Sequence, residues 1–428
     1  MRKFKIITLG CKVNQCESAY IYEQLIKAKW KEASDKERAD LVIINTCIVT
    51  QKASRQSRQQ IRKAIRENPL AHIIVTGCYA QVYPEELLNI EGISLIVGNK
   101  EKSQIPKLIK NGFSDKLIVY EFSKNEPFVN MTPTRFFNRS RAFLKIQDGC
   151  ESYCSYCIVP YARGPLRSMR IEDVIDAIKQ FADRGYKEVV LTGIHLGKYG
   201  IERGESLEML LKEIVKKRFP LRIRLSSIEP NEVTDELLEL ISCENICKHL
   251  HIPLQSGDNR ILRYMNRNYT REEFEELIMK IYKKNPYIAI GTDVIVGFPG
   301  EDSVAYKNTL SLLKRLPISY LHVFSYSDRP KTKAFYMKEK IPAAVVKERV
   351  KELRQLSKKK RAEFIKRCIG KVFDIIVESS KDGFLEGLSD NYIRVLIPKK
   401  TSELLLRVKI EDIKEEFAIG SINKQLQL

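Results

Sequence analysis

No apolar run in this chain of 428 residues approaches the length that spans a bilayer, which excludes a membrane-crossing helix. The opening MRKFKIITLG has neither the apolar core nor the small-residue cleavage site of a secretory leader and runs directly into strand-like sequence, so the expectation is a cytoplasmic protein. Acidic residues are scarce beside basic ones, 54 against 74, and a net charge of +20 points to a polyanionic partner rather than to any particular fold. What is present is ordinary for a globular protein, 43% hydrophobic and 30% charged, in a chain long enough for two or three cores.

Ten cysteines in a reducing compartment are poor material for disulfides, so any that cluster are better read as metal ligands or redox groups. Three of them close the same phrase. KFKIITLGC ends at Cys11, DLVIINTC at Cys47 and HIIVTGC at Cys78, each a β-branched apolar run that stops on a thiol.

Strand-like and helix-like runs alternate from residue 1 to about 125, the helical ones beginning with 17–28, which predicts an open parallel sheet with crossover helices. Ligands bind at the carboxyl ends of such strands, and Cys11, Cys47 and Cys78 would gather there. Residues 126–135, EPFVNMTPTR, read as a linker. A second alternation follows over 136–367, with strands RAFLKIQDG, EVVLTGIH, RIRLSSIEP, HLHIPLQSG, AIGTDVIVGFPG and YLHVFSYS, and six β/α units predict an incomplete barrel. The last part, 368–428, has short β-rich runs broken by KDG and SDN and reads as a small all-β barrel. The fold class is therefore α/β with a C-terminal β domain.

DGCESYCSYC places Cys150, Cys154 and Cys157 at C-x3-C-x2-C. Three soft thiolates this close can hold one face of a metal or iron-sulfur centre and leave one corner open. Zinc would need a distant fourth ligand, since the nearest histidine in sequence is His195.

A C-x3-C-x2-C motif closing the first strand of a six-unit barrel resembles the radical S-adenosylmethionine superfamily. The resemblance implies a 4Fe-4S cluster on Cys150, Cys154 and Cys157 whose open iron chelates S-adenosylmethionine. It also implies cofactor contacts from Gly193 and His195 in TGIH, Gln255 in HIPLQSG, Gly297 in VIVGFPGE and Phe324 in YLHVFSYS. His195 stands where an acidic residue is common.

The whole chain resembles the methylthiotransferases, which combine an N-terminal sheet domain carrying a second 4Fe-4S cluster, here on Cys11, Cys47 and Cys78, with a radical barrel and a C-terminal TRAM barrel that grips RNA. LGCKVNQ, RAFLKIQDGC and SSIEP most resemble the group acting on threonylcarbamoyladenosine beside the tRNA anticodon. The implied reaction is methylthiolation of adenine C2, with tRNA, an electron donor protein and a sulfur source as partners and no membrane. Isopentenyladenosine in tRNA or a ribosomal protein are the alternative targets, and a non-catalytic iron-sulfur electron carrier is a distant alternative.

Asp293 interrupts an apolar strand, and an acid there is expected to be hydrogen-bonded on the active-site face, with Glu229 a similar candidate for contact with the substrate. Tyr153 and Tyr156 flank the first triad and either shield a cluster or simply pack.

Basic charge is uneven. Residues 331–367 carry fourteen Lys/Arg against four Asp/Glu, and Arg55, Arg58, Arg62 and Arg66 share one face of a predicted helix in which Glu67 is the only acid. The final segment from residue 368 is not basic, with nine Lys/Arg against ten Asp/Glu. The expectation is that the preceding helix, through Lys358, Lys359 and Lys360, supplies more phosphate contact than Lys399 and Lys400. Cys243 and Cys247, followed by His249 and His251, resemble a zinc motif on paper, yet the strand-like interleaving of apolar residues argues against one; Cys16 and Cys368 have no partners in sequence.

Overall fold

The structure is a computed structural model and describes residues 2–34, 36–113, 115–136, 140–398, 401 and 403–423. Lys399 and Lys400 lie outside the described residues.

The N-terminal part is a six-stranded parallel sheet in the order Lys31–Glu32, Lys3–Thr8, Leu41–Thr46, His72–Gly77, Leu95–Val97, Leu117–Ile118. The three strands expected to end on thiols are neighbours in it. Leu41–Thr46, at the centre, is buried at every position, as a strand covered on both faces must be. The first helix begins earlier than the sequence pattern indicated, at Lys12, because Cys11 takes the extended backbone of a helix cap; it spans Lys12–Lys27. The arginine-bearing helix Gln51–Glu67 is capped by the Thr50 side chain, which accepts from the Ala53 amide at 3.1 Å.

Six parallel strands form the incomplete barrel. Arg141–Lys145, Glu188–Thr192 and Arg222–Leu225 make one three-stranded half, and His249–His251, Ala289–Val296 and Tyr320–Ser325 the other. A parallel bridge between Ile223 and Ile246 joins them. The stretch HLHIPLQSG is strand only over His249–His251, after which a single bridge at Gln255 to Val294 keeps it beside its neighbour. The crossover helices carry the cap residues that sequence rules favour, Ser206, Thr234 and Asp302, and Thr270 with Glu273 completes a capping box.

A barrel of six strands leaves its first and last strands unpaired at a seam. Helix Lys12–Lys27 packs beside Arg141–Lys145 on one side, and the long helix Ala343–Cys368 beside Tyr320–Ser325 on the other. The seam is therefore closed partly by the N-terminal domain. Its buried contact is ionic: Glu17 bonds Lys102, Lys145 and Arg163, while Asp148 pairs with Lys145, Arg163 and Arg167. Residues 119–136 are a strap rather than a free linker, with Met131 buried and Phe122 under the Arg167 guanidinium.

Five antiparallel and parallel strand pairings close the C-terminal barrel, built from Val372–Lys381, Phe384–Ser389, Arg394–Pro398, Leu405–Lys414 and Phe417–Ile422. Its core extends into the end of the long helix through Phe364, Ile365 and Cys368. Arg222 and Arg224, each paired with Glu188, donate to its carbonyls at Asp374, Leu388, Ser389 and Asp390, which fixes it against the amino-terminal ends of the partial-barrel strands. No helix among the described residues is long and apolar enough to cross a membrane.

Candidate active site

Cys11, Cys47 and Cys78 sit at the carboxyl ends of three adjacent strands. Their approach depends on glycine: Gly10 has a φ of +95°, and a Cβ there would lie 2.8 Å from Cys47 Cβ and 2.9 Å from its Sγ. Gly77, with φ +99°, meets the Thr46 backbone the same way, a Cβ falling 2.4 Å from its carbonyl oxygen. Cys11 opens to solvent at the crevice while Cys47 and Cys78 are buried, and Asn99 Nδ2 lies 3.5 Å from Cys78 Sγ. Burial pushes the Cys47 thiol up to about 11, and the Cys78 and Cys11 thiols add to it. A thiol raised this way stays protonated without metal, and a cation that accepts thiolates would reverse that.

Cys150, Cys154 and Cys157 occupy the loop after the first barrel strand. Cys150 Sγ lies 3.4 Å from His195 Nδ1, and Arg267 Nη1 donates to Cys154 Sγ at 3.3 Å. Burial would raise the Cys150 thiol, but the hydrogen bond from His195 and that imidazole's charge bring it below its ordinary value. His195 Nε2 in turn meets Glu232 Oε1 at 2.7 Å, so an acid does reach this position, delivered by the next strand's loop. Burial opposes charging His195, yet Cys150 and Glu232 carry it up to about 9. Glu232 was not legible as a site residue in the sequence.

The fit to a nucleoside-bearing cofactor rests on buried polar atoms that the protein leaves without partners. Ser226 Oγ, Glu232 Oε2 and Gln255 Oε1 are such atoms, on successive strand ends of the barrel. Gln255 holds a φ of +64°, strain that a ligand-facing side chain can justify. Gly193 is pressed against Gln147, whose Oε1 would lie 2.8 Å from a Cβ.

A cavity of about 200 Å³ is lined by Val49 and Thr50, which follow Cys47 in sequence, and by Tyr156, which precedes Cys157, with Gln255, Asp293 and Phe324. Asp293 Oδ1 accepts from His251 Nε2 at 2.8 Å and His322 Nδ1 at 3.2 Å. Burial would raise its carboxyl; these two histidines hold it well below the usual carboxylate range. The nitrogen and oxygen atoms of His251, Asp293 and His322 lie within 4.8 Å of one another, a clustering their hydrogen bonds account for. Tyr156 packs edge-on to Phe298, while Tyr153 is half exposed and closer to Tyr161.

Two expected site residues have protein neighbours that the sequence did not show, and a third expectation needs correction. Glu229 pairs with Arg267 and so steadies that guanidinium against Cys154. Gly297 lies under the long helix, where a Cβ would come 2.4 Å from Val346 Cγ2, and it lines the larger groove along that helix. Lys360 is buried, and its ammonium donates to the Lys314 and Leu316 carbonyls at 2.7 Å each, capping the end of helix Ser303–Arg315 rather than facing solvent.

Lys358 and Lys359 are exposed, the first 3.4 Å from Glu416 and the second 4.0 Å from Glu363. The more telling basic feature is a groove of about 770 Å³ along the long helix. Lys347, Lys351, Arg354 and Lys358 line it at steps of four, three and four, which is one helical face. The groove shares Ser325, Tyr326 and Ser327 with the small cavity. On the N-terminal side Arg55, Arg62 and Arg66 are exposed, while Arg58 donates to the Tyr79 hydroxyl at 2.6 Å and pairs with Glu86. Cys247 lies 3.8 Å from Glu188, and His249 and His251 both turn to the Tyr320 hydroxyl.

Residues 3–98 match the family model described as uncharacterized protein family UPF0004, and residues 144–313 match the radical SAM superfamily. The chain is 43% identical over 393 residues to the threonylcarbamoyladenosine tRNA methylthiotransferase MtaB of Aquifex aeolicus, covering 91% of this chain and 95% of that one. The Bacillus subtilis protein of the same name is 39% identical over 417 residues, covering 94% and 92%. A tRNA-2-methylthio-N(6)-dimethylallyladenosine synthase of Syntrophomonas wolfei is 33% identical over 434 residues, covering 98% and 97%. Among solved structures, the radical S-adenosylmethionine methyltransferase TsrM of Kitasatospora setae aligns with a TM-score of 0.58 at 16% identity, covering 78% and 77%, a likeness of fold.

Proposed function

The chain belongs to the radical S-adenosylmethionine methylthiotransferases, and from that premise we propose that it methylthiolates C2 of threonylcarbamoyladenosine beside the tRNA anticodon. The observation that carries this reading is the shared cavity. Val49 and Thr50 follow Cys47 by two and three residues and face Tyr156, the neighbour of Cys157, across the same space.

The group that Cys150, Cys154 and Cys157 would hold, a 4Fe-4S cluster, supplies when bound the one-electron chemistry that cleaves S-adenosylmethionine. The chain's own residues bind, orient and exclude. His195, braced by Glu232, fixes Cys150, and Arg267, braced by Glu229, neutralises charge at Cys154. Glu232 Oε2, Ser226 Oγ and Gln255 Oε1 are left to meet the polar ends of the cofactor. Asp293, already ionised by two histidines, offers a fixed acceptor to a hydroxyl or N–H in the cavity. Tyr156, Ile295 and Phe324 keep the space apolar, which protects a reactive carbon centre from water.

Cys11, Cys47 and Cys78 would hold a second 4Fe-4S cluster on the facing wall, the place from which a methylated sulfur would be delivered. The RNA would lie along Lys347, Lys351, Arg354 and Lys358 with the target base turned into the cavity, since an aromatic carbon inside a stacked loop is out of reach. Such an enzyme works in the cytoplasm and draws on an electron donor protein and a sulfur source. A target bearing an isopentenyl group is the second reading, supported by the Syntrophomonas wolfei relative.

Mass spectrometry of nucleosides from total tRNA, with and without the gene, tests the substrate. Loss of the methylthio form of threonylcarbamoyladenosine with accumulation of its parent is expected; an unchanged profile overturns the proposal.

A further inference from the structure

Buried arginines in this protein come with carboxylates. Arg163 pairs with Glu17, Arg167 with Asp148, and Arg222 and Arg224 with Glu188. Arg329 is the exception among the described residues. It is only 4% exposed, and its guanidinium meets two neutral hydroxyls, Ser54 Oγ at 3.0 Å and Ser327 Oγ at 3.3 Å. Its Nε is buried with no partner at all. Taking an uncompensated guanidinium out of water is costly, and two hydroxyls do not offset it.

The acids that line the cavity beside it, Asp328 and Glu86, are already engaged. Asp328 accepts from Tyr326 and Lys340, and Glu86 from Tyr79 and Arg58. Burial pulls the guanidinium below its ordinary value, and the neighbouring Tyr83 and Cys47 oppose it only in part. Arg329 opens on that cavity, of about 330 Å³, which is lined also by Gln51, Arg55, Arg58 and Tyr83 together with the already paired Glu86 and Asp328. Arg55 is exposed and forms no ion pair among the described residues. This cavity shares Gln51 and Asp328 with the basic groove, and Ser327, which Arg329 bonds, lines the cavity of about 200 Å³ that Asp293 and Gln255 also line.

We propose that Arg329 and Arg55 form an oxyanion site beside the reaction cavity, filled by the substrate itself. The planar fork of arginine suits a carboxylate or a phosphate equally. Two sources offer that chemistry, the carboxylate of the threonylcarbamoyl group and a phosphate of the RNA that bears it. The inference rests on the tRNA reading above.

The test measures binding of anticodon stem-loop RNA by fluorescence anisotropy, using the full-length protein with its clusters reconstituted. One RNA carries threonylcarbamoyladenosine and the other plain adenosine. Arg329→Gln and Arg55→Gln are each expected to weaken binding by about ten-fold or more, with Arg329→Lys in between. Weakening confined to the modified RNA assigns the carboxylate. Equal weakening for both, with a salt dependence shallower by about 0.7 in logarithmic slope, assigns a phosphate. Unchanged affinity for both RNAs, in variants that keep cluster absorption and thermal stability, overturns the site. Should Arg329→Gln fail to fold, exposed Arg55 decides, and unchanged affinity in Arg55→Gln overturns the proposal. Failure of the unaltered protein to bind either RNA would instead sink the tRNA reading, and the site with it.

Discussion

Tyr392 of the C-terminal barrel stacks on His249 of the partial barrel with ring centroids 4.2 Å apart and planes 17° from parallel. The contact starts a column that ends in the reaction cavity. His249 Nε2 lies 2.9 Å from the Tyr320 hydroxyl, which lies 3.1 Å from His251 Nδ1, whose other nitrogen reaches Asp293. One assignment of protons satisfies the column: each group donates toward Asp293 and leaves His249 Nδ1 bare, the atom that is buried without a partner. The domain expected to grip RNA thus reaches, through four side chains, the Asp293 carboxylate that lines the cavity.

Replacing Tyr320 by phenylalanine removes the hydroxyl both histidines use and leaves two buried ring nitrogens unpaired. The expected cost is about 1–3 kcal/mol of stability. Thermal unfolding should report a midpoint lower by several degrees, and an unchanged midpoint would show that the column contributes nothing.

Acid should open the joint between the N-terminal sheet and the barrel. Burial alone would raise the Glu17 carboxyl, but Arg163, Lys102 and Lys145 hold it well below its usual value of 4.5, and Lys145, Arg163 and Arg167 do the same for Asp148, whose usual value is 3.8. Carboxyls depressed in the folded state contribute stability that is fully present above their unfolded values and is lost as pH falls through the folded ones. Denaturation midpoints should therefore hold between about pH 5 and 7 and fall below about pH 4. Glu17→Gln should flatten that fall, at a cost of about 3–5 kcal/mol near neutrality, because buried Lys102 loses its carboxylate partner and Lys145 and Arg163 keep only Asp148. A slope unaltered by the substitution would refute the assignment.

Glutamine at Lys347, Lys351, Arg354 and Lys358 together should make RNA binding less salt-dependent, by about 2–3 in logarithmic slope for single-stranded contacts. Glutamine at Lys360 alone should leave that slope unchanged and lower the unfolding midpoint, since it caps a helix end. The reverse pattern would place the RNA elsewhere.

Cys47→Ala should halve the iron bound per chain while the other triad still cleaves S-adenosylmethionine, so that deoxyadenosine forms without methylthio product. Iron analysis with chromatography of the products checks this. Normal methylthiolation by the variant would remove Cys11, Cys47 and Cys78 from the chemistry.

Much of this was legible in the chain, and the reasons are physical. Strand ends announced themselves because a β-branched run can only stop where something interrupts it, and at Cys11, Cys47 and Cys78 the interruption is a thiol. The C-x3-C-x2-C loop is local, so its spacing carries its geometry. What the sequence hid is long-range pairing: Arg163 reaches Glu17 across 146 positions, and nothing local to Glu232 or Arg329 reveals what each meets or lacks. Lys360 misled because three consecutive lysines resemble a solvated surface, whereas successive helical residues turn by about 100° and the third of these points inward. The approach of Val346 to Gly297 is equally long-range, and no local motif reveals it.

Glu17 fixes an order of events on the ribosome. It emerges early, on a helix that already belongs to the first sheet, yet two of its three cations, Lys145 and Arg163, are translated more than a hundred residues later. Until then the nascent N-terminal domain exposes an acid meant for the interior and a helix face meant for a strand not yet made. The first domain is thus complete in length well before it is complete in structure, and its burial waits on the barrel's first strand and cysteine loop.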